Sequence, residues 1–402
     1  MIRWLILVVF LLFIDFYAFQ SLKIISKNKI ILILYWIISI GILANFILKL
    51  TSFNGSKGFT HGIMLAIGLL ILSVIPKITA IIILFSEDVF RMIKTSISFF
   101  SPTTTTHFPA RREFVAKIAL GLAAIPFASI IYGMAKGKYN FKVIKHTLFF
   151  DDLPDAFDGF NITHISDIHS GSFDDENKID YAINLINEQA SDVILFTGDI
   201  VNNMADEMNP WIDHFKKLNA PFGKFSVLGN HDYGEYVRWK TVQEKESNFQ
   251  AIKEIHPKIG FNLLLNDSVY LEKENQKIAI IGVENWGTRF KKAGDLEKAS
   301  QKIKKEDFKI LLSHDPSHWN AEVKNNDNNY QLTLSGHTHG MQFGIEIPGF
   351  KWSPVQYVYK QWAGIYKEFN RYINVNRGFG FLAFPGRVGI WPEITVITLK
   401  KK

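Results

Sequence analysis

The stretch Ser335-Gly336-His337-Thr338-His339-Gly340 decides the reading of this 402-residue chain. The apolar run from Tyr330 to Leu334 leads into it and reads as a short buried strand. Two imidazoles one residue apart, bracketed by glycines, then sit on the loop that leaves the strand. Alternate residues of an extended segment point to opposite sides, so His337 and His339 are expected to reach two different centres held close together. Two metal ions about 3.5–4 Å apart make such a target. A lone His-x-His is weak evidence, so the rest of the chain must supply carboxylates.

Short apolar runs at 161–165, 193–197, 225–228, 278–283, 310–312 and 332–334 read as strands, with helical patterns at 180–188 and 295–305 between them. That order predicts an α/β domain, a layered β-sandwich flanked by helices. The Asn-rich segment 324–329 reads as a surface loop. The first strand runs into Asp167-Ile168-His169 and the second into Gly198-Asp199. The third runs into Gly229-Asn230-His231-Asp232, the fifth into Ser313-His314-Asp315, and the sixth into the stretch quoted above. Ligands of α/β sheets sit beyond the carboxyl ends of the strands. One such end means little; five in order point to one site.

The N-terminal third has a different character. Apolar runs near 2–19, 30–50, 63–85 and 115–132 have the length that crossing a bilayer takes, about 17–25 residues. They lack a polar face, which argues against buried helices of a soluble domain. The expected organisation is therefore a bundle of four transmembrane helices over 1–135, a linker over 136–154, and a globular domain over 155–402. Asp15 and Lys77 are charges that fall well inside the spans. Residues 1–140 carry 14 Lys and Arg against 4 Asp and Glu, and the remainder carries 31 against 34. The net charge of +7 thus belongs to the membrane-like part, and no nucleic-acid partner is expected. Lys23, Lys27 and Lys29 in the first loop, and Arg91, Lys94, Arg111 and Arg112 in the third, place those loops in the cytoplasm by the positive-inside rule. The globular domain then falls on the outer side of a bacterial inner membrane. Arg111-Arg112 is also the pattern of a twin-arginine signal, but a basic flank on a membrane helix is the preferred reading. With no cysteine in the chain, disulfides and thiol chemistry are excluded.

The set Asp-x-His, Gly-Asp, Gly-Asn-His-Asp, a lone His and Gly-His-x-His resembles the calcineurin-like metallophosphoesterase superfamily over roughly residues 155–400. Gly-His-Thr-His-Gly, Asn376-Arg377-Gly378 and Pro392-Glu393-Ile394 resemble its membrane-associated bacterial phosphodiesterase branch. Met341 stands where that branch usually has a second glycine. The resemblance implies that Asp167, His169, Asp199 and His339 bind one metal. Asp199, Asn230, His314 and His337 would bind the other, with Asp199 bridging. It implies hydrolysis of a phosphodiester or pyrophosphate, in a substrate expected to be lipid-linked, by a hydroxide shared between the metals. His231 would assist the leaving group, and Asp232 would orient it or hold the loop. Imidazole and carboxylate ligands suit two divalent ions of manganese, iron or zinc better than calcium. The alternatives are a general phosphomonoesterase and a metal-binding membrane scaffold or sensor with little catalysis.

Histidines 164, 214, 256 and 318 fall outside these motifs and read as structural. The aromatics of 347–391 read mainly as core, the other reading being a wall for an acyl chain or a seat on the bilayer surface, with Gly378-Phe379-Gly380-Phe381 and Phe384-Pro385-Gly386 as an exposed loop. Arg377 and Arg387 beside it read as phosphate donors or as surface charges.

Overall fold

The computed structural model describes residues 2–53, 55–56, 58–99 and 109–402. The chain forms two compact units, Met1–Phe53 with His61–Ala135, and Asn54–Thr60 with Lys136–Lys402.

In the first unit the helices are α1 (Ile2–Ile25), α2 (Lys29–Thr51), α3 (His61–Phe99) and α4 (Pro109–Ala135). All four are long and apolar enough to cross a membrane. The third span is longer than the sequence pattern implied, because α3 runs on through Pro76 and past residue 85. Outward-facing residues such as Ile6, Phe10, Ile33 and Ile37 are hydrocarbon and exposed, as suits a unit whose solvent is lipid. Ala80 on α3 and Ala116, Ala119 and Ala123 on α4 are buried, small residues that let two helices approach closely. Asp15 of α1 and Lys77 of α3 form an ion pair. The Lys77 ammonium also donates to Ser39 Oγ at 2.7 Å and Ser73 Oγ at 2.6 Å. These two charges thus neutralise each other inside the bundle.

The second unit is a sandwich of two six-stranded sheets. Its strands are β1 (Lys142–Phe150), β2 (Asn161–Ile165), β3 (Val193–Phe196), β4 (Lys224–Ser226), β5 (Asn262–Leu263), β6 (Asp267–Lys273) and β7 (Gln276–Gly282). There follow β8 (Lys309–Leu312), β9 (Leu332–Ser335), β10 (Ile345–Ile347), β11 (Phe350–Trp352), β12 (Gly364–Glu368), β13 (Arg371–Val375) and β14 (Glu393–Lys401). One sheet has the order β1-β14-β2-β3-β4-β5 and the other β12-β13-β9-β8-β7-β6, while β10 and β11 make a separate hairpin. The stretch 136–154 is not a linker. It holds β1, paired in parallel with β14 along its whole length. Lys142, Lys145 and His146 dilute its apolar pattern because it is an edge strand.

Ile162, Leu195 and Val227 from the first sheet and Ile280, Leu312 and Leu334 from the second share one buried core. The helices α5 (Glu176–Asn187), α6 (Ile212–Phe215), α7 (Val242–Lys258) and α8 (Leu296–Ser300) belong to this unit. The last is shorter than the pattern at 295–305 implied. Strands β2, β3 and β4 are mutually parallel, as are β8 and β9, so each set delivers its carboxyl ends to one edge.

Histidines 164, 214, 256 and 318 are each hydrogen-bonded: His164 to Thr197 and Asn374, His214 to Asp180, His256 to Ser226, and His318 to Ser313. His256 is fully buried and stacked on Phe196 at 5.9 Å, and burial pushes its pKa down to about 3. It therefore stays neutral while the unfolded chain protonates near pH 6.5, so its stabilisation is complete above that pH and lost as pH falls toward 3. Acid unfolding of the full chain in detergent should show this loss, on the order of 1.4 kcal/mol per pH unit. His256→Gln should flatten the slope between those limits.

Candidate metal centre

The loops after β2, β3, β4, β8 and β9 carry the seven expected ligands. Asp167, His169, Asp199, His337 and His339 all have positive φ, between 48° and 70°. Left-handed backbone costs a side-chain-bearing residue of order 1 kcal/mol or more, and such strain clusters at functional sites. Glycines make the close approach possible. A Cβ on Gly336 would fall onto Ser166 Oγ and Asp167 Oδ2, and one on Gly229 onto Asp199 Oδ1.

The side chains gather into two groups, Asp167 with His169 and His339, and Asp199 with His314 and His337. His337 and His339 do go to different groups, but not because the segment is extended. The chain leaves β9 at Ser335, and the turn separates the two rings. In the first group His169 Nε2 and His339 Nε2 lie 3.0 Å apart, and Asp167 Oδ1 is 3.1 Å from the latter. In the second, Asn230 Oδ1 lies 2.7 Å from His337 Nδ1 and 3.2 Å from His314 Nε2. Asp199 Oδ2 joins the groups, 3.2 Å from His314 Nε2 and 3.5 Å from His169 Nε2.

These donors fit cations. Two nitrogens at 3.0 Å can share at most one proton, whereas ligand atoms about 2.1 Å from one ion stand about 3.0 Å apart at a right angle. Burial opposes charge on Asp167 and Asp199, yet the neighbouring histidines hold both carboxyls below the usual range. Burial keeps His169 neutral, the form that ligates. His314 is the exception: burial works against its charge, but Asp199 raises it to about 10.

His231 stands edge-on to His169 at 4.9 Å, its Nδ1 2.7 Å from the Asn202 carbonyl, which leaves Nε2 as the free ring nitrogen. Asp232 does not bear on it. Its carboxylate accepts from the backbone N–H groups of Asp199, Ile200 and Gly229 at 2.8–2.9 Å, so it holds the loop. Burial, and then the charge of Asp199, push it up to about 7.

Three further residues escaped the sequence reading. Tyr236 accepts the Asn230 amide at 2.8 Å, which turns Asn230 Oδ1 toward the histidines. Tyr359 OH lies 3.0 Å from His337 Nε2, and Asp315 Oδ2 3.6 Å from the same nitrogen. Such partners fix ring orientation and raise ligand basicity. Asp315 follows His314 directly, a signal that was visible; the tyrosines carried none.

Two other expectations fail. Phe379 and Phe381 are buried, the former against Phe141, Phe173 and Phe215, because Gly378 and Gly380 let this loop pass inward against Asp167 and Ile168. Arg377 is paired with Glu393 and Glu346, and Arg387 donates to the carbonyls of Gly378 and Gly380 and lies 3.2 Å from His339 Nδ1. Both arginines are buried rather than surface charges, and Arg387 spends its Nε and Nη2 on backbone carbonyls.

The family model described as calcineurin-like phosphoesterase matches residues 160–341. A second, described as probable calcineurin-like phosphoesterase, transmembrane domain, matches residues 2–138. The uncharacterised metallophosphoesterase YkuE of Bacillus subtilis is 33% identical over 300 residues, which cover 72% of this chain and 98% of that protein. The chain belongs to the calcineurin-like metallophosphoesterase family. The phosphodiesterase YaeI of Escherichia coli is 28% identical over 72% of this chain and 99% of its own length. A zebrafish (Danio rerio) transmembrane protein with a metallophosphoesterase domain is 25% identical over 67% of this chain, but the match spans 60% of that protein. Met341, where the resembling branch usually has glycine, takes the left-handed conformation at φ 52° and is 55% exposed.

In this metallophosphoesterase, His337→Ala and His339→Ala should each lower metal content by about one ion per chain, read by elemental analysis, and the ion lost should differ in affinity between them. Met341→Gly should raise thermal stability by up to about 1 kcal/mol with metal content unchanged, since it relieves a left-handed side chain.

Proposed function

We propose that this protein is a membrane-anchored, dinuclear-metal phosphoesterase that cleaves a phosphodiester or pyrophosphate bond in a lipid-linked substrate. The observation that carries the proposal is Asp199 Oδ2, which stands within 3.5 Å of a ligand nitrogen in each of the two groups. Asp167, His169, Asp199 and His339 would hold one cation, and Asp199, Asn230, His314 and His337 the other. Manganese, iron or zinc suits this set of nitrogens and oxygens. Two such cations would neutralise the phosphoryl oxygens and lower the pKa of water.

The chain's own residues supply the rest. His231, with Nδ1 directed at the Asn202 carbonyl, presents Nε2 to the leaving oxygen and passes it a proton when the ring is charged. Asp232 fixes the loop that carries His231 and Asn230, and Tyr236 fixes the face that Asn230 shows. Four helices able to span a membrane tether the domain to lipid, which supports a lipid-linked substrate. The basic first and third loops support a domain on the outer side of a bacterial inner membrane.

Asp199→Asn should lower turnover of bis(4-nitrophenyl) phosphate by about 10²-fold or more in the manganese-loaded full chain. Unchanged turnover at equal metal content would overturn the proposal. His231→Ala should cost about 10²–10⁴-fold against a diester with an alkyl leaving group, and far less against 4-nitrophenolate, which needs no proton.

A further inference from the structure

The hairpin β10–β11 leaves much of an apolar face open to solvent. Its strands meet at Pro348-Gly349, with Gly349 at φ 79°, a turn that proline and glycine favour. The register pairs Ile345 with Trp352 and Ile347 with Phe350. Residues opposite or two apart share a face, so these four apolar side chains form one face and Glu346 and Lys351 the other. The charged ends of the polar face reach the domain, although Glu346 and Lys351 are themselves exposed. Glu346 pairs with Arg377, and the Lys351 ammonium donates to the Ala363 carbonyl. On the apolar face Ile345 is 51%, Ile347 58% and Phe350 52% exposed, and Trp352 is half-buried.

The neighbouring surface continues this character. Tyr357 is exposed and accepts from the Trp352 indole at 3.4 Å. Val358 then leads into a cleft of about 260 Å³ that Arg289, Ser317 and Lys360 also line. Arg289 and Lys360 have no ion-pair partner among the described residues. Tyr359 lines the same cleft and reaches His337, so this surface adjoins the metal centre.

We propose that this face is a lipid-binding surface, in which the apolar side of the hairpin enters the hydrocarbon boundary of a bilayer and Arg289 and Lys360 meet anionic headgroups. Hydrocarbon flanked by Trp, Tyr and basic residues is the composition that seats in a bilayer interface. The chain's own spans tether the domain to such a bilayer. A water-facing patch of this kind on a soluble domain would be a liability. Such a seat does not depend on the hydrolytic chemistry.

The chain has no cysteine, so a single introduced thiol reports one position. Ile347→Cys carries the fluorophore NBD in the full chain, reconstituted in phosphatidylglycerol nanodiscs. Val242→Cys, at an 84% exposed position, is the control. Emission at 347 should shift to the blue and fall about twofold with doxyl-labelled lipid, while emission at 242 should not change. Quenching at 347 should weaken in phosphatidylcholine, and Arg289→Ala with Lys360→Ala should remove that difference. An unquenched probe at 347, equal quenching at 242, or no dependence on headgroup charge would each overturn the proposal. So would cross-linking of Ile347→Cys between two copies, which would give the face to a second chain instead. Turnover does not enter these readings, so failure here is distinct from failure of the phosphoesterase assignment.

Discussion

The carboxylate of Asp199 is buried at the junction of three loops, and the arrangement of the site depends on how its atoms are spent. Oδ1 accepts the His231 N–H at 2.8 Å, and Oδ2 faces a nitrogen from each ligand group. Its own N–H goes to Asp232, and its carbonyl accepts the His169 N–H at 3.1 Å. One residue thereby sets the spacing between the ends of β2, β3 and β4. A carboxylate removed from water in this way needs positive charge close by, and the surrounding histidines supply it only in part. The demand for cations follows from burial as much as from ligand type.

The left-handed backbone at five ligand positions is tolerable because the loops are tied to one another across the sandwich. Asp167 N–H bonds to the Gly198 carbonyl at 2.9 Å and Gly336 N–H to the His314 carbonyl at 2.9 Å. Phe379 and Gly380 donate to the Ser166 and Asp167 carbonyls at 2.8 Å, which brings a later loop under the same site. Both sheets end at rigid cores, so the strain is held by packing rather than by any single contact.

The strands that deliver the site were legible because each lies in a short, largely buried stretch with apolar residues that runs into glycine or a polar ligand. The alternation that marks half-buried strands served less well. β1 is diluted by lysines, and β10–β11 alternates but leaves most of its apolar side exposed, which the pattern does not imply for a domain in water. Partners distant in sequence were invisible for a different reason. Nothing near Asn230 says that Tyr236 will take its amide, nor near His337 that Tyr359 will meet it. Phe379 and Phe381 misled because glycine was read as a mark of exposure, whereas here it makes room for backbone to pass beneath a carboxylate.

The segment Asn54–Thr60 lies between two membrane-spanning helices in the sequence but belongs to the sandwich unit. Gly55 accepts the Arg238 N–H through its carbonyl at 2.7 Å, and Gly58 lies against Asn203 and Val237. Asn203 is the neighbour of Asn202, whose carbonyl orients His231. The hydrolytic domain is therefore discontinuous, completed by a piece of chain that precedes α3. Cutting the protein after α4 to obtain a soluble enzyme would leave out that piece and its contacts with Asn203, Val237 and Arg238. A cut at residue 135 therefore does not follow the boundary of the hydrolytic unit, which also takes in Asn54–Thr60.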